Sequence, residues 1–327
     1  MKIKFSFLFA ILLLCRSLVF AEDEISVALE FNSHSAAFYV AQGKGIFEKE
    51  NLKIKSHEAY MTGVALASSL KKGNIEAAFM CLVPAINAYS NGGIRLKIVL
   101  GSHLYGFGLV VNPKRVKSVN DLGIKALRIG CISEGSATDL ILRRTIDGLG
   151  LKEEKVLSSV VRMNPQNMLI ALRSGSIDAA FMPEHFVTLA ERDGLKVLLT
   201  AKDIWPNFQG SVIVVKEEVL KNKREAVKKL VRATKKATHW INTQREDSSR
   251  ILARYLSLEG SKVGFSERLD PKAELSIKEQ EALISMSRLE FTNQLNRKVI
   301  QETIDYMAKK GYIRESFNAE SIIAWDL

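Results

Sequence analysis

Cysteine is scarce in this chain. Of three cysteines in 327 residues, Cys15 falls in the first apolar run, which leaves Cys81 and Cys131 for the rest. Two thiols in a chain of this size do not make a disulfide framework, so stability must come from buried apolar cores. Beyond the first segment, no stretch approaches the ~18 uninterrupted apolar residues a bilayer-spanning helix needs. Several catalytic signatures are also missing: Gly-x-Gly-x-x-Gly, the phosphate loop Gly-x4-Gly-Lys-Ser/Thr, and His-Glu-x-x-His. Cys131-Ile132-Ser133-Glu134-Gly135 approaches a nucleophile elbow but lacks its first glycine. His34, His57, His103, His185 and His239 fall at no metal-ligand spacing. The expectation is a chain with no catalytic residues, no metal and no cofactor, and therefore not an enzyme.

What is present is an ordinary foldable composition, 47% apolar and 25% charged, long enough for two domains or one large α/β unit. The formal charge is +11. Lys2 and Lys4 precede the apolar run Phe5 to Cys15, and Ser17-Leu18-Val19-Phe20-Ala21 ends in Val-x-Ala before Glu22. Charged start, short apolar stretch and small residues at the last and third-last positions read as an export signal, residues 1–21, cut after Ala21. The residues before Cys15 are leucines and not the small pair a lipid-attachment site wants. Lys2, Lys4 and Arg16 leave with the leader, which lowers the charge by three. The remaining basic surface attracts anions at long range without telling nucleic acid from membrane or small anion. Nine Lys and Arg residues lie between Lys216 and Lys236, but Leu220, Val227, Leu230, Val231, Ala237 and Ile241 form a helical apolar stripe among them. The basic residues then form the solvated opposite face, and no nucleic-acid partner is expected.

One motif occurs twice. Leu70-Lys71-Lys72-Gly73-Asn74-Ile75-Glu76-Ala77-Ala78-Phe79-Met80 recurs 102 residues later as Leu172-Arg173-Ser174-Gly175-Ser176-Ile177-Asp178-Ala179-Ala180-Phe181-Met182. In each copy a helix ends at a basic residue and a glycine, and an apolar strand follows. Two such units imply two similar α/β lobes. Around them strands alternate with helices through short connections, which argues for largely parallel sheets covered on both faces. Val156 to Arg162 reads as one of these strands. Tyr105-Gly106-Phe107-Gly108 and Phe208-Gln209-Gly210-Ser211 set glycine beside extended apolar stretches, as hinge crossings would. The expected division is 22–103 with 212–327 as lobe I, and 104–211 as lobe II.

The stretch Ala37-Phe38-Tyr39-Val40-Ala41-Gln42-Gly43-Lys44-Gly45-Ile46-Phe47, together with Leu70 to Ile86, Asp121-Leu122 and Leu172 to Met182, resembles the periplasmic substrate-binding proteins of ABC importers for nitrate, taurine, alkanesulfonates and thiamine-pyrimidine precursors. The likeness runs from about Ile25 to about Val215, and departs from the family pattern at Glu76 and in Asp121-Leu122-Gly123-Ile124-Lys125. It implies a type II periplasmic-binding-protein architecture: two lobes with mixed, largely parallel sheets, two hinge crossings and C-terminal helices. It further implies a ligand in the cleft at the carboxyl ends of the strands, where open α/β sheets place ligands on general grounds as well.

Candidate ligand contacts follow from those strand ends. Ser33, His34 and Ser35 open a helix after the first strand, and Thr62 and Gly63 start the next. Cys81 follows the first repeat, with Pro84 close behind. Ser133, Glu134, Gly135, Ser136, Ala137 and Thr138 open another helix, with Ser136 and Asp139 as a capping pair. Such helix starts present unpaired N–H groups to an anionic group, or merely cap their own helix. Pro183, Glu184 and His185 follow the second repeat; a carboxylate there would favour an amine, an amidine-like pyrimidine or a zwitterion over a bare anion.

The expected function is a periplasmic solute receptor, exported, monomeric, binding a small anionic or zwitterionic molecule and docking on a membrane ABC permease. A thiamine-pyrimidine or flavin-like ligand is the alternative within that role. An enzyme on the same fold and a sensory module of a membrane kinase are the alternatives outside it.

Overall fold

The computed structural model of the protein describes residues 23–73, 75–124, 126–260, 262–263, 276–325 and 327. The leader expected over 1–21 lies outside the described residues. Eleven strands occur among them: β1 Asp23–Glu30, β2 Leu52–Tyr60, β3 Ala77–Cys81, β4 Leu96–Tyr105, β5 Phe107–Val111, β6 Ile129–Cys131, β7 Val160–Arg162, β8 Ala179–Pro183, β9 Lys196–Thr200, β10 Gln209–Lys216 and β11 Leu289–Phe291. They form a first sheet ordered β11-β4-β10-β3-β1-β2 and a second ordered β7-β6-β8-β5-β9. In each, three parallel neighbours (β2-β1-β3, β7-β6-β8) are followed by an antiparallel return strand (β10, β5) and then an outer strand (β4, β9). The fold is the mixed α/β type that the sequence pattern predicts, but the sheets are not largely parallel: four strand pairings are parallel and five antiparallel, because β10 and β5 run back between the parallel strands and the outer ones.

The two repeat copies hold equivalent places. Helices Gly63–Lys72 and Pro165–Arg173 lead into β3 and β8, whose five residues are all buried. The acid that begins each strand does the same work. The Glu76 carboxylate accepts from the backbone N–H of Ser26 at 3.0 Å, and the Asp178 carboxylate from that of Arg128 at 2.9 Å. Each thus satisfies an amide on the neighbouring parallel segment that would otherwise lack a partner. Lys223 pairs with Glu76 at 2.7 Å and Arg115 with Asp178 at 2.9 Å.

The chain crosses between sheets twice. β4 gives way to β5 at Tyr105 and Gly106, both left-handed (φ 64° and 87°), and the Tyr105 N–H donates to the Phe208 carbonyl of the second crossing at 3.0 Å. Val156 lies in a helix, Glu153–Leu157, and only Val160–Arg162 forms the strand expected there. Two glutamates in the first turn favour the helix through its dipole, and Val156 still finds burial.

After β10 the chain is mainly helical. Helix Arg224–Thr243 buries Val227, Leu230, Val231, Ala237 and Ile241 of the expected stripe, whereas Leu220 is half-buried in a separate short helix, Glu217–Asn222, that ends before it; Lys229, Arg232 and Lys236 pair with Asp23 and Glu50. Helix Arg297–Lys309 spans toward the second sheet: Tyr306 and Lys310 reach Asp147 at 2.9 and 2.8 Å, and Arg144 reaches Glu302 at 3.3 Å. No helix of the described residues is long and apolar enough to cross a membrane.

Candidate functional site

The carboxyl end of β1 supplies Glu30, after which Asn32 folds the chain into the turn Ser33–Ser35 by accepting from the His34 N–H at 2.9 Å. Ser33, His34 and Ser35 are buried. The Ser35 hydroxyl donates back to the Glu30 carbonyl at 2.8 Å, and Ser33 shares a 2.7 Å hydroxyl contact with Ser285. These hydroxyls therefore brace the turn.

Glu30 is buried beside Cys81. Its carboxyl accepts from the Cys81 N–H at 2.6 Å and from the thiol at 3.0 Å. Gly63 makes room for it, because a Cβ there would stand 2.4 Å from Glu30 Oε1 and 2.6 Å from Pro84. Thr62, half-buried, caps the Gly63 helix by accepting from Ala65 at 3.2 Å.

The His34 Nε2–H donates to the Gly106 carbonyl at the first crossing, 2.7 Å away. Since a carbonyl only accepts, this fixes the tautomer and leaves Nδ1 with its lone pair toward the Cys81 sulfur, 3.4 Å distant. His103 packs 4.5 Å from the His34 ring, and its Nε2 has no hydrogen-bond partner among the described residues. Burial shifts every titratable group here toward neutrality. It draws His34 down to about 4, places His103 well below the usual range, and raises Glu30 and Cys81.

The second sheet meets this group from β8. The Glu184 carbonyl accepts from the Ser33 N–H at 3.2 Å, and His185 sets its ring edge-on to Phe31 and stacked on Phe186. Glu184 is buried but compensated. Arg288 Nη1 donates to it at 3.1 Å and Thr188 at 2.7 Å, and Arg288 also grips Glu191 at 2.6 Å. Burial raises the Glu184 carboxyl and the Arg288 charge opposes that shift. His185 is fully buried, neither ring nitrogen has a hydrogen-bond partner among the described residues, and burial draws it down to about 3.

The remaining candidates stand apart. Ser136 caps helix Ala137–Leu149, accepting from Asp139 at 3.3 Å, with Thr138 3.2 Å from its hydroxyl. Gly135 turns against helix Leu82–Ser90, where an added Cβ would meet Asn87 at 2.6 Å. Ser133 and Glu134 are exposed, and Glu134 pairs with Arg143 and Arg162. Ala137 is buried in the first turn of its helix.

Sequence reasoning missed Glu30, Arg288 and His103 as neighbours of the site. An acid closing β1 directly after the apolar run Val27-Ala28-Leu29 was the available signal for Glu30. Arg288 sits at the C-terminal end of helix Glu279–Ser287, and nothing local ties it to Glu184.

Residues 22–257 match the NMT1-like family. The chain belongs to that family. A Brucella abortus protein described as a binding protein is 26% identical over 223 residues, 67% of each chain. The taurine-binding periplasmic protein of Escherichia coli is 24% identical over 64% of this chain and 65% of its own. Among solved structures, the ligand-binding component of an ABC-type import system from Staphylococcus aureus, with zinc bound, superposes with TM-score 0.76 over 92% of this chain and 96% of that one, at 18% identity. The alkanesulfonate-binding protein SsuA of Xanthomonas axonopodis, bound to MOPS, gives 0.73 over 92% and 98% at 16% identity. The family member's fold is therefore that of the periplasmic binding proteins.

Proposed function

We propose that this NMT1-like protein is the exported solute receptor of an ABC importer, and that it closes on a small zwitterionic or anionic organic solute and hands it unchanged to a membrane permease. On this reading residues 22–103 with 212–327 form one lobe and 104–211 the other, the crossings at Tyr105-Gly106 and Phe208–Ser211 act as hinges, and the leader is cut after Ala21. The curated relatives, one of them a taurine-binding protein, support the role.

The observation that carries it is the meeting of strand ends from both sheets around His185. A neutral imidazole offers one donor and one acceptor, and burying both without partners costs about 1–3 kcal/mol for each group. A solute that enters between the two sheets when they part and supplies His185 with both an acceptor and a donor, such as an amine-bearing sulfonate, removes that cost. Glu184 is already held by Arg288, so the guanidinium is engaged before any bare anion arrives. The ring group Phe31, His185 and Phe186 favours one second reading, a flat pyrimidine-like solute.

Melting the mature protein in the presence of taurine, alkanesulfonates, nitrate, carboxylates, pyrimidines and flavins tests the proposal. At a hundredfold excess over Kd, a true ligand adds about 2.7 kcal/mol of stability, which raises the melting temperature by about 4 °C in a chain of this size. If no class shifts the transition, the receptor reading fails.

A further inference from the structure

We propose that Glu30, His34 and Cys81 form a binding site for one thiophilic divalent cation of the Zn2+ class. The three side chains come from the end of β1, the following turn and the end of β3, and their donor atoms all lie within 4.8 Å of one another. All three are buried, at 3%, 1% and 4% exposure. Carboxylate oxygen, imidazole nitrogen and thiolate sulfur are the three donor types zinc takes, and a three-residue set leaves a fourth tetrahedral position open.

The surroundings suit a metal more than a chance cluster would. His34 donates its Nε2–H to the Gly106 carbonyl at 2.7 Å, so Nδ1 is presented as a ligand in the manner metal-bound histidines are usually held. The carboxyl of Glu30 is steadied by the Cys81 N–H at 2.6 Å, and Gly63 leaves space beside it. A second imidazole, His103, lies 4.5 Å from the His34 ring with a buried Nε2 that has no hydrogen-bond partner among the described residues. The spacing along the chain, 30, 34 and 81, hides the set from any short motif.

The proton balance follows from the environment. In the metal-free protein burial raises the Glu30 carboxyl and the Cys81 thiol and holds His34 in its neutral form. Binding M2+ forms a metal–sulfur and a metal–oxygen bond, releases the thiol proton together with any proton on the carboxyl, and leaves a neutral three-ligand site. Affinity should therefore rise by about tenfold per pH unit for each proton displaced. The inference does not depend on which solute the receptor carries, and solute titrations on metal-stripped protein keep the two readings separate.

The test uses mature, tag-free, reduced protein stripped with a chelator. Zn2+ is titrated calorimetrically against a competing chelator at several pH values, and Co2+ is followed by absorption. The expected result is one ion per chain, a thiolate-to-cobalt charge-transfer band with tetrahedral d–d bands, and an affinity that increases with pH. Cys81→Ser should abolish the charge-transfer band and weaken Zn2+ at least a hundredfold. Glu30→Gln should weaken it at least tenfold with the band retained, and Cys131→Ser should change neither. Absence of one-to-one binding, a cobalt spectrum with no thiolate band, or a band that survives in Cys81→Ser would overturn the proposal. The wild-type spectrum and pH dependence decide the matter even if a variant fails to fold.

Discussion

β3 and β8 are built alike and end differently. Each follows a helix and a glycine, each buries a phenylalanine at the same place, Phe79 and Phe181, and each begins with an acid that accepts from an amide of its parallel neighbour. One residue past the shared methionine the likeness stops. β3 delivers Cys81 to a carboxyl and an imidazole, with no arginine or lysine among the described residues in contact with Glu30. β8 delivers Glu184 to Arg288 and His185 to a pair of phenyl rings. Residues that recur between the two sheets hold those sheets together, and the residues that differ stand at the strand ends, where the turn after β1 meets the end of β8.

The largest expected effect separates the two buried acids. Arg288→Met leaves Glu184 buried without its counter-charge and should cost about 3 kcal/mol in urea unfolding. Glu30→Gln keeps an acceptor for the Cys81 N–H and should cost about 1 kcal/mol or less. Equal losses would mean that the two ends are not electrostatically different.

The next effect lies in the pH profile. His185 folds with its pKa drawn down to about 3, below its unfolded value of about 6.5. Between these values the unfolded chain binds a proton that the folded chain does not, so this contribution is present above pH 6.5 and is lost as pH falls toward 3. It amounts to about 2 kcal/mol by pH 5. Glu30 and Glu184, both raised, act in the opposite sense, losing stability as pH rises through their folded values. The comparison must therefore be between parent and His185→Gln: the variant should lose less stability from pH 7 to pH 5 than the parent does.

The frame residues give smaller changes. Asp178→Ala orphans the Arg128 amide and should cost about 2 kcal/mol, and Glu76→Ala, whose side chain is more exposed, about 1 kcal/mol. Both should unfold cooperatively with unchanged denaturant slopes. Ser136→Ala should cost about 1 kcal/mol through its helix cap. A tenfold or greater loss of solute affinity in that variant, beyond the stability change, would bring Ser136 into the ligand contacts as well.

Much of the frame was legible in the sequence because it is local. The repeat at 70–80 and 172–182, the glycines at 106 and 210, and the stripe of helix Arg224–Thr243 are short-range patterns, and the fold is built on them. The site was legible only in part. His34, Cys81 and His185 stand directly after apolar strands, where a strand-end argument finds them. Glu30, His103 and Arg288 acquire meaning only from partners 51, 69 and 104 residues away, since Cys81 binds Glu30, His103 packs on His34, and Arg288 pairs with Glu184. No spacing rule encodes such contacts. Val156 was misread because an apolar pair inside five residues fits a strand until the two preceding glutamates are weighed as a helix start.

The division between frame and site can be measured directly by titrating the solute identified in the melting screen into Glu76→Gln and His185→Gln by calorimetry. The account predicts that Glu76→Gln binds within about twofold of the parent, whereas His185→Gln loses at least tenfold, about 1.4 kcal/mol or more. Equal affinity in the two variants would contradict it, because His185 would then be one more frame residue.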